Sequence, residues 1–421
     1  MAETYNEISA IGAGSNCVTN IAFREANCPA CAYHVAASFF DGGDQPLATL
    51  AWPNSAETAR ALSRFPLDFV RCVDCGHVFN IAFDYADVPY SDKPNLMFNR
   101  AANWSQFLTA TRENILSRLR PDPVIVEIGH GDGHFLAALA EGRPQGRYIG
   151  FDPHGAAKGS GNVQFRQDMF DPARHLSELA PDLVISRHVL EHLVNPLGFL
   201  QGMSFSAACL GMTPLAYFEV PCIDNAIAER RTVDFYYEHS SQFTTTSFTR
   251  MLSRASAEIL EIGHGYGQEV VFGFARLGHA PAATSLAKDA EAFLAAAAEG
   301  RTTIEAQLDE LYRSGRRTVL WGGTGKSAAF MCRYGVDAER FPWVVDSDAA
   351  KVGTFVPGTG QEIRFRDWLL AHPADVVIIP PQWRAADILS EMAKADIAVG
   401  LVLIEHHGRL VDFHREDHPY R

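Results

Sequence analysis

Five residues near the middle of the chain could hold a nucleoside: Glu127, Gly129, Gly131, Gly133 and Asp152. The apolar run Val124-Ile125-Val126 leads into Glu127, and three glycines follow at alternate positions. A helical pattern begins at His134, and a second apolar stretch from Tyr148 to Phe151 ends in Asp152. Glycines let a backbone approach a ligand closely and take up positive φ. An acid at the end of the next strand can accept hydrogen bonds from ribose hydroxyls. The elements required are a strand, a tight turn, a helix and a second strand. A dinucleotide site would space its glycines G-x-G-x-x-G to meet a pyrophosphate. Here the spacing is G-x-G-x-G with a carboxylate just ahead, which suits a positively charged ligand without phosphate.

Sulfur forms a second constellation. Cys28-Pro29-Ala30-Cys31 and Cys72-Val73-Asp74-Cys75-Gly76 are two C-x-x-C knuckles. Together they can offer four thiolates to one tetrahedral zinc ion, and a closed four-sulfur site leaves no open position for catalysis. The zinc is therefore expected to be structural, holding a small N-terminal lobe together. The N-terminus has no basic n-region or apolar h-region, so a cytoplasmic protein is expected. Paired cysteines there indicate metal rather than disulfides. No apolar run is long enough to cross a bilayer. The 421 residues carry 50 acidic against 36 basic side chains, for a net charge of -14. With no basic stripe, neither nucleic acid nor membrane is an expected partner.

Further along, Asp182 to Ser186 and Leu215 to Pro221 read as parallel strands, continuous and apolar. Residues 282–311 are rich in Ala, Glu and Leu and read as a long helix. A second nucleotide-type unit follows. Strand Thr318-Val319-Leu320-Trp321 precedes Gly322-Gly323-Thr324-Gly325-Lys326-Ser327-Ala328, where Gly323, Gly325 and Ala328 satisfy G-x-G-x-x-A. The next strand ends in Asp346, and Asp375 to Ile379 is a third. Gly325-Lys326-Ser327 hints at a P-loop, but Leu320 stands where that motif needs a glycine.

Glu127 to Gly133 resembles motif I of class I S-adenosylmethionine-dependent methyltransferases, and Leu190-Glu191-His192 resembles the segment after their fourth strand. In that fold, Gln167-Asp168-Met169-Phe170 lies where adenine is contacted. The whole chain, from Cys28 to Phe413, resembles the sugar C-methyltransferases, most specifically in Asp234-Phe235-Tyr236-Tyr237-Glu238-His239. The resemblance implies an α/β fold. A class I methyltransferase Rossmann-like core would be flanked by an N-terminal zinc-ribbon lobe and a C-terminal second Rossmann-like domain. The implied bounds are 1–90 for the lobe, 91–281 for the core, 282–311 for a linker helix and 312–421 for the last domain.

It further implies S-adenosyl-L-methionine as cofactor, held by Glu127, Gly129, Gly131, Gly133, Asp152, Asp168 and His188, and structural zinc on Cys28, Cys31, Cys72 and Cys75. The implied reaction is C-methylation next to a ketone of a nucleotide-activated deoxysugar in bacterial secondary metabolism. His239 would be the base, Tyr237 and Glu238 would bind or orient the sugar, His192 would serve the enolate, and Tyr90 would offer a hydroxyl. The chain departs from the family at His130 in motif I, at Tyr90 to Pro94, and at Pro381-Gln382-Trp383-Arg384. The acceptor thus stays open. O- or N-methyl transfer to another small metabolite, or a non-catalytic donor-binding protein, are the alternatives.

Overall fold

Three β-sheets organise the chain in the computed structural model, which describes residues 22–88, 101–155, 157–278 and 281–421. Met1–Thr284 form one compact unit and Ser285–Arg421 a second.

The first unit opens with antiparallel strands β1 (Phe23–Glu25), β2 (Val35–Gln45), β3 (Phe65–Cys72) and β4 (Val78–Asn80). The fifth strand of this sheet, Ser241–Gln242, arrives from far downstream and pairs Ser241 with Phe79 and Gln242 with Val78. The lobe therefore completes its sheet with residues that follow the core's fifth strand.

The core sheet contains β5 (Val124–Ile128), β6 (Arg147–Phe151), β7 (Val163–Arg166), β8 (Leu183–Arg187) and β9 (Leu215–Pro221), all parallel. With Ser241–Gln242 counted as β10, β11 (Glu258–Gly265) and β12 (Val270–Arg276) close the sheet antiparallel, in the order β11-β12-β9-β8-β5-β6-β7. β5, β8 and β9 are mostly apolar and buried because helices cover both faces of a parallel sheet, and each carries a polar residue toward its carboxyl end: Glu127, Arg187 and Glu219. Ile125, Val126, Val184, Ile185 and Ala216 are wholly buried. The order turns back on either side of β5, where β6 and β8 diverge. Ligands of open α/β sheets bind at such a switch, beyond the carboxyl ends of the strands.

The second unit contains β13 (Thr318–Trp321), β14 (Trp343–Asp346), β15 (Ile363–Phe365), β16 (Val376–Ile379), β17 (Leu401–His406) and an antiparallel β18 (Arg409–Asp412), ordered β15-β14-β13-β16-β17-β18. The helix preceding β13 spans Pro281–Arg313. Among the described residues, no helix is long and apolar enough to cross a membrane.

Candidate functional site

The turn after β5 is shaped by its glycines. Gly129 has φ +76°, and a Cβ there would sit 2.3 Å from Val189 Cγ2. Gly133, also left-handed at φ +77°, starts the helix His134–Gly142, and its Cβ would meet Phe165 at 2.5 Å. The Gly131 amide donates to Asp152 Oδ2 at 3.0 Å, and the His154 amide to Oδ1 at 2.9 Å. Asp152 thus ties the end of β6 to the glycine turn. His130, a buried ring, lies 4.5 Å from Phe165 between centroids. Asp168 lies on the exposed stretch after β7.

Behind this turn lies a buried charge network. Burial pushes the Glu127 carboxyl up to about 8, and its Oε2 has no protein partner. Arg187, at the end of β8, donates through Nε and Nη2 to Glu219 Oε1 at 3.1 and 2.8 Å. Tyr217 donates to Glu219 Oε2 at 2.6 Å. Burial alone would raise Glu219, but Arg187 and His188 hold it down at about 2. His188 has a left-handed backbone, φ +53°, directly after β8. Its ring nitrogens lie 3.0 Å from Glu219 and 3.5 Å from Glu191. Burial opposes its charge, yet these two carboxylates lift it to about 9. An imidazole charged at neutral pH cannot act as a base, so His188 belongs to the network that fixes the end of β8.

The two other predicted imidazoles meet each other. His192 closes the short turn Leu190–His192, and its Nδ1 donates to the Glu238 carbonyl at 2.7 Å. A carbonyl only accepts, so Nδ1 carries the hydrogen of this bond. The His192 and His239 rings stand edge to face, 4.7 Å apart. His239 Nε2 lies 2.8 Å from the Tyr236 hydroxyl. Burial, with His192 beside it, lowers His239 to about 3, so the ring is neutral across the physiological range. Glu191 is buried beside both rings. Burial works against its charge, but His188 and the neighbouring imidazoles keep it below the usual carboxylate range.

Tyr237 and Glu238, expected to meet the acceptor, instead serve the lobe. The Tyr237 hydroxyl accepts from the Asp84 amide at 2.9 Å and donates to Asp87 at 2.8 Å, and its ring stacks on Phe65. The Glu238 carboxylate accepts from the amides of Ala48, Thr49 and Leu50 and from the Thr49 hydroxyl. Replacing it by Ala would strand these donors, so Glu238→Ala is expected to destabilise the first unit by about 2–4 kcal/mol, read as a fall in urea midpoint. Tyr236 is the residue that the sequence reading passed over. Its three-residue spacing to His239 across one turn was the available signal. Tyr90 lies outside the described residues.

The four knuckle cysteines converge, buried, with sulfurs within 4.8 Å of one another. Cys28 and Cys75 are 3.7 Å apart, Cys31 and Cys72 3.6 Å. Zn–S bonds of about 2.3 Å in a tetrahedron separate sulfurs by about 3.8 Å, so the donor set fits zinc.

Residues 99–269 match the family model of a methyltransferase domain, and residues 282–404 that of the C-methyltransferase C-terminal domain. The chain carries the catalytic domain of an S-adenosylmethionine-dependent methyltransferase. No curated protein matches this methyltransferase. Among solved structures it is similar to the plantazolicin methyltransferase BpumL in complex with SAH and a pentazolic desmethylPZN analogue. That likeness is 15% identical, covers 43% of this chain and 88% of that one, and has a TM-score of 0.33. Magnesium protoporphyrin IX methyltransferase from Synechocystis PCC 6803 matches at 13% identity over 43% of the methyltransferase and 88% of its own chain, TM-score 0.31. An O-methyltransferase family protein from Burkholderia thailandensis matches at 13% over 42% and 58%, TM-score 0.30. Likenesses at these scores carry no argument about the acceptor.

Proposed function

We propose that the methyltransferase transfers its methyl group to a carbon next to a ketone, on a nucleotide-activated deoxysugar, through an enolate generated by the His239–Tyr236 pair. The observation that carries this reading is the His239 ring, held against the Tyr236 hydroxyl, edge-on to His192 and with the Glu191 carboxylate in reach. Burial disfavours the imidazolium, so uptake of an α-proton by His239 relies on the Glu191 carboxylate, within 4.8 Å of a ring nitrogen, to stabilise the charge. His192 is held by its Nδ1 on the Glu238 carbonyl and stands edge to face with the His239 ring. The match of residues 282–404 to a C-methyltransferase domain favours carbon over oxygen or nitrogen.

S-Adenosylmethionine supplies an electrophilic methyl on a sulfonium. The orphaned Glu127 oxygen, the Gly129 to Gly133 turn and Asp152 are the groups that would hold it. Four converged thiols of the lobe would hold zinc as a structural ion.

Solvent deuterium separates carbon from heteroatom transfer. With a keto-sugar nucleotide, the protein should wash deuterium into the carbon beside the ketone, and His239→Asn should abolish the exchange. Methylation without exchange at that carbon would overturn the assignment in favour of a hydroxyl or amine acceptor.

The raised Glu127 makes donor binding pH-dependent. Below about pH 8 the free protein carries this group protonated, and a cationic ligand favours the carboxylate. Binding then releases a proton, so donor affinity should rise with pH by up to about tenfold per unit and level off above pH 8. Glu127→Gln should flatten the slope. Calorimetric titration with S-adenosylmethionine across that pH range checks both.

A further inference from the structure

The second unit has its own crevice of about 280 Å³ at the carboxyl ends of β13, β14 and β16. Its walls include Lys326, Lys351, Arg384, Trp383 and Asp346. Here the strand order turns back on either side of β13, the same switch geometry that places ligands in open α/β sheets.

Three cations face one carboxylate in a chain that is acidic overall. Asp346 already accepts from the Gly323 amide at 3.1 Å, the Asp348 amide at 2.9 Å and Lys351 at 3.1 Å. Lys326 instead lies 3.8 Å from the centroid of the Trp383 ring, which is half exposed. Among the described residues, no carboxylate pairs with Lys326 or Arg384. The turn between β13 and the helix Lys326–Arg333 is left-handed at Gly325, φ +61°, and a Cβ there would meet nothing within 4 Å. At Gly325 the turn thus borders open space.

A triphosphate P-loop is not what this is. The Ser327 hydroxyl, which would reach a metal in that motif, donates to the Trp321 carbonyl at 3.3 Å and is buried. At about 280 Å³ the volume lies just below the usual range of ligand pockets, about 300 to 1,000 Å³, and is too small to enclose a dinucleotide.

We propose that this crevice binds a nucleoside phosphate, with phosphate oxygens on Lys326, Arg384 and the 322–326 turn, the sugar hydroxyls near Asp346 and the base against Trp383. Such a ligand could be a free nucleotide or the nucleotide half of a sugar conjugate. The assignment stands on this crevice alone and does not depend on the methyl-transfer reading.

Calorimetric titration of the full chain with ADP, UDP and inorganic phosphate tests it. A nucleotide should bind more tightly than phosphate. Lys326→Ala should weaken the nucleotide at least about tenfold, the scale of a lost charge-assisted hydrogen bond. Trp383→Ala should cost the nucleotide about tenfold through lost stacking and leave phosphate unchanged. Thermal midpoints and S-adenosylmethionine binding should be unaltered in both exposed-residue variants. Nucleotide binding that ignores both substitutions, or no heat at millimolar nucleotide, would overturn the proposal. A further arm compares the better diphosphate with its glucose conjugate. Competition at equal or better affinity assigns the crevice to a sugar nucleotide, and exclusion of the conjugate assigns it to the free nucleotide.

Discussion

His239→Ala is expected to lower turnover by about 10²–10⁴-fold, the contribution of a positioned base, while donor affinity changes little. The split follows from where the ring sits. Its contacts are with His192 and Tyr236, whereas the donor-binding groups gather at the glycine turn and Asp152. Tyr236→Phe keeps the ring and removes only the hydroxyl at 2.8 Å. It should therefore retain more activity than His239→Ala and distinguish loss of chemistry from loss of packing. His239→Asn, which preserves a polar group of smaller size, should be as inactive as the alanine variant. Single-turnover methyl transfer at saturating donor measures all three. Activity of His239→Ala close to that of the parent would remove the imidazole from the chemistry.

Stripping the metal should have the largest effect on stability. Structural zinc contributes about 10–16 kcal/mol of apparent folding free energy in small domains, comparable to the whole stability of a typical protein, about 5–15 kcal/mol. The lobe's four cysteines are buried at the junction with the core, and the Leu197 amide donates to the Pro29 carbonyl between the knuckle residues at 3.3 Å. Chelation or Cys72→Ser should therefore lower the thermal midpoint sharply. It should also abolish activity, because the segment carrying Tyr236 and His239 is pinned to the lobe by Tyr237, Glu238 and Ser241. Metal analysis should find about one zinc per chain. An apo protein with an unchanged midpoint would contradict the structural role.

Much of the donor side was legible because its signals are local. A parallel strand buried on both faces must be a continuous apolar run, and a turn that approaches its neighbours as closely as Gly129 and Gly133 do has room only for glycine. The same logic exposed the second unit through Trp321, Gly323 and Asp346. The acceptor side was less legible. In the turn from Tyr236 to His239 adjacent side chains diverge, and only the three-residue spacing to His239 separates Tyr236, which meets the imidazole, from Tyr237, which is buried in the lobe. His188 is set apart by its surroundings, and its charged partner Glu219 stands thirty-one positions away in sequence. Long-range pairing also hid the fifth lobe strand, since Ser241-Gln242 carries no strand signature of its own.

That borrowed strand has a consequence for synthesis. Chains emerge from the ribosome N-terminus first, and domains generally fold as units in that order. Here β4 has an open edge until residue 242 has been made, long after Cys75 appears. Metal capture by the four thiols can come early, but the first sheet must wait for most of the central domain to be translated. Cutting the gene between them would therefore leave an unpaired edge, a template for aggregation, and the smallest piece worth expressing runs through both.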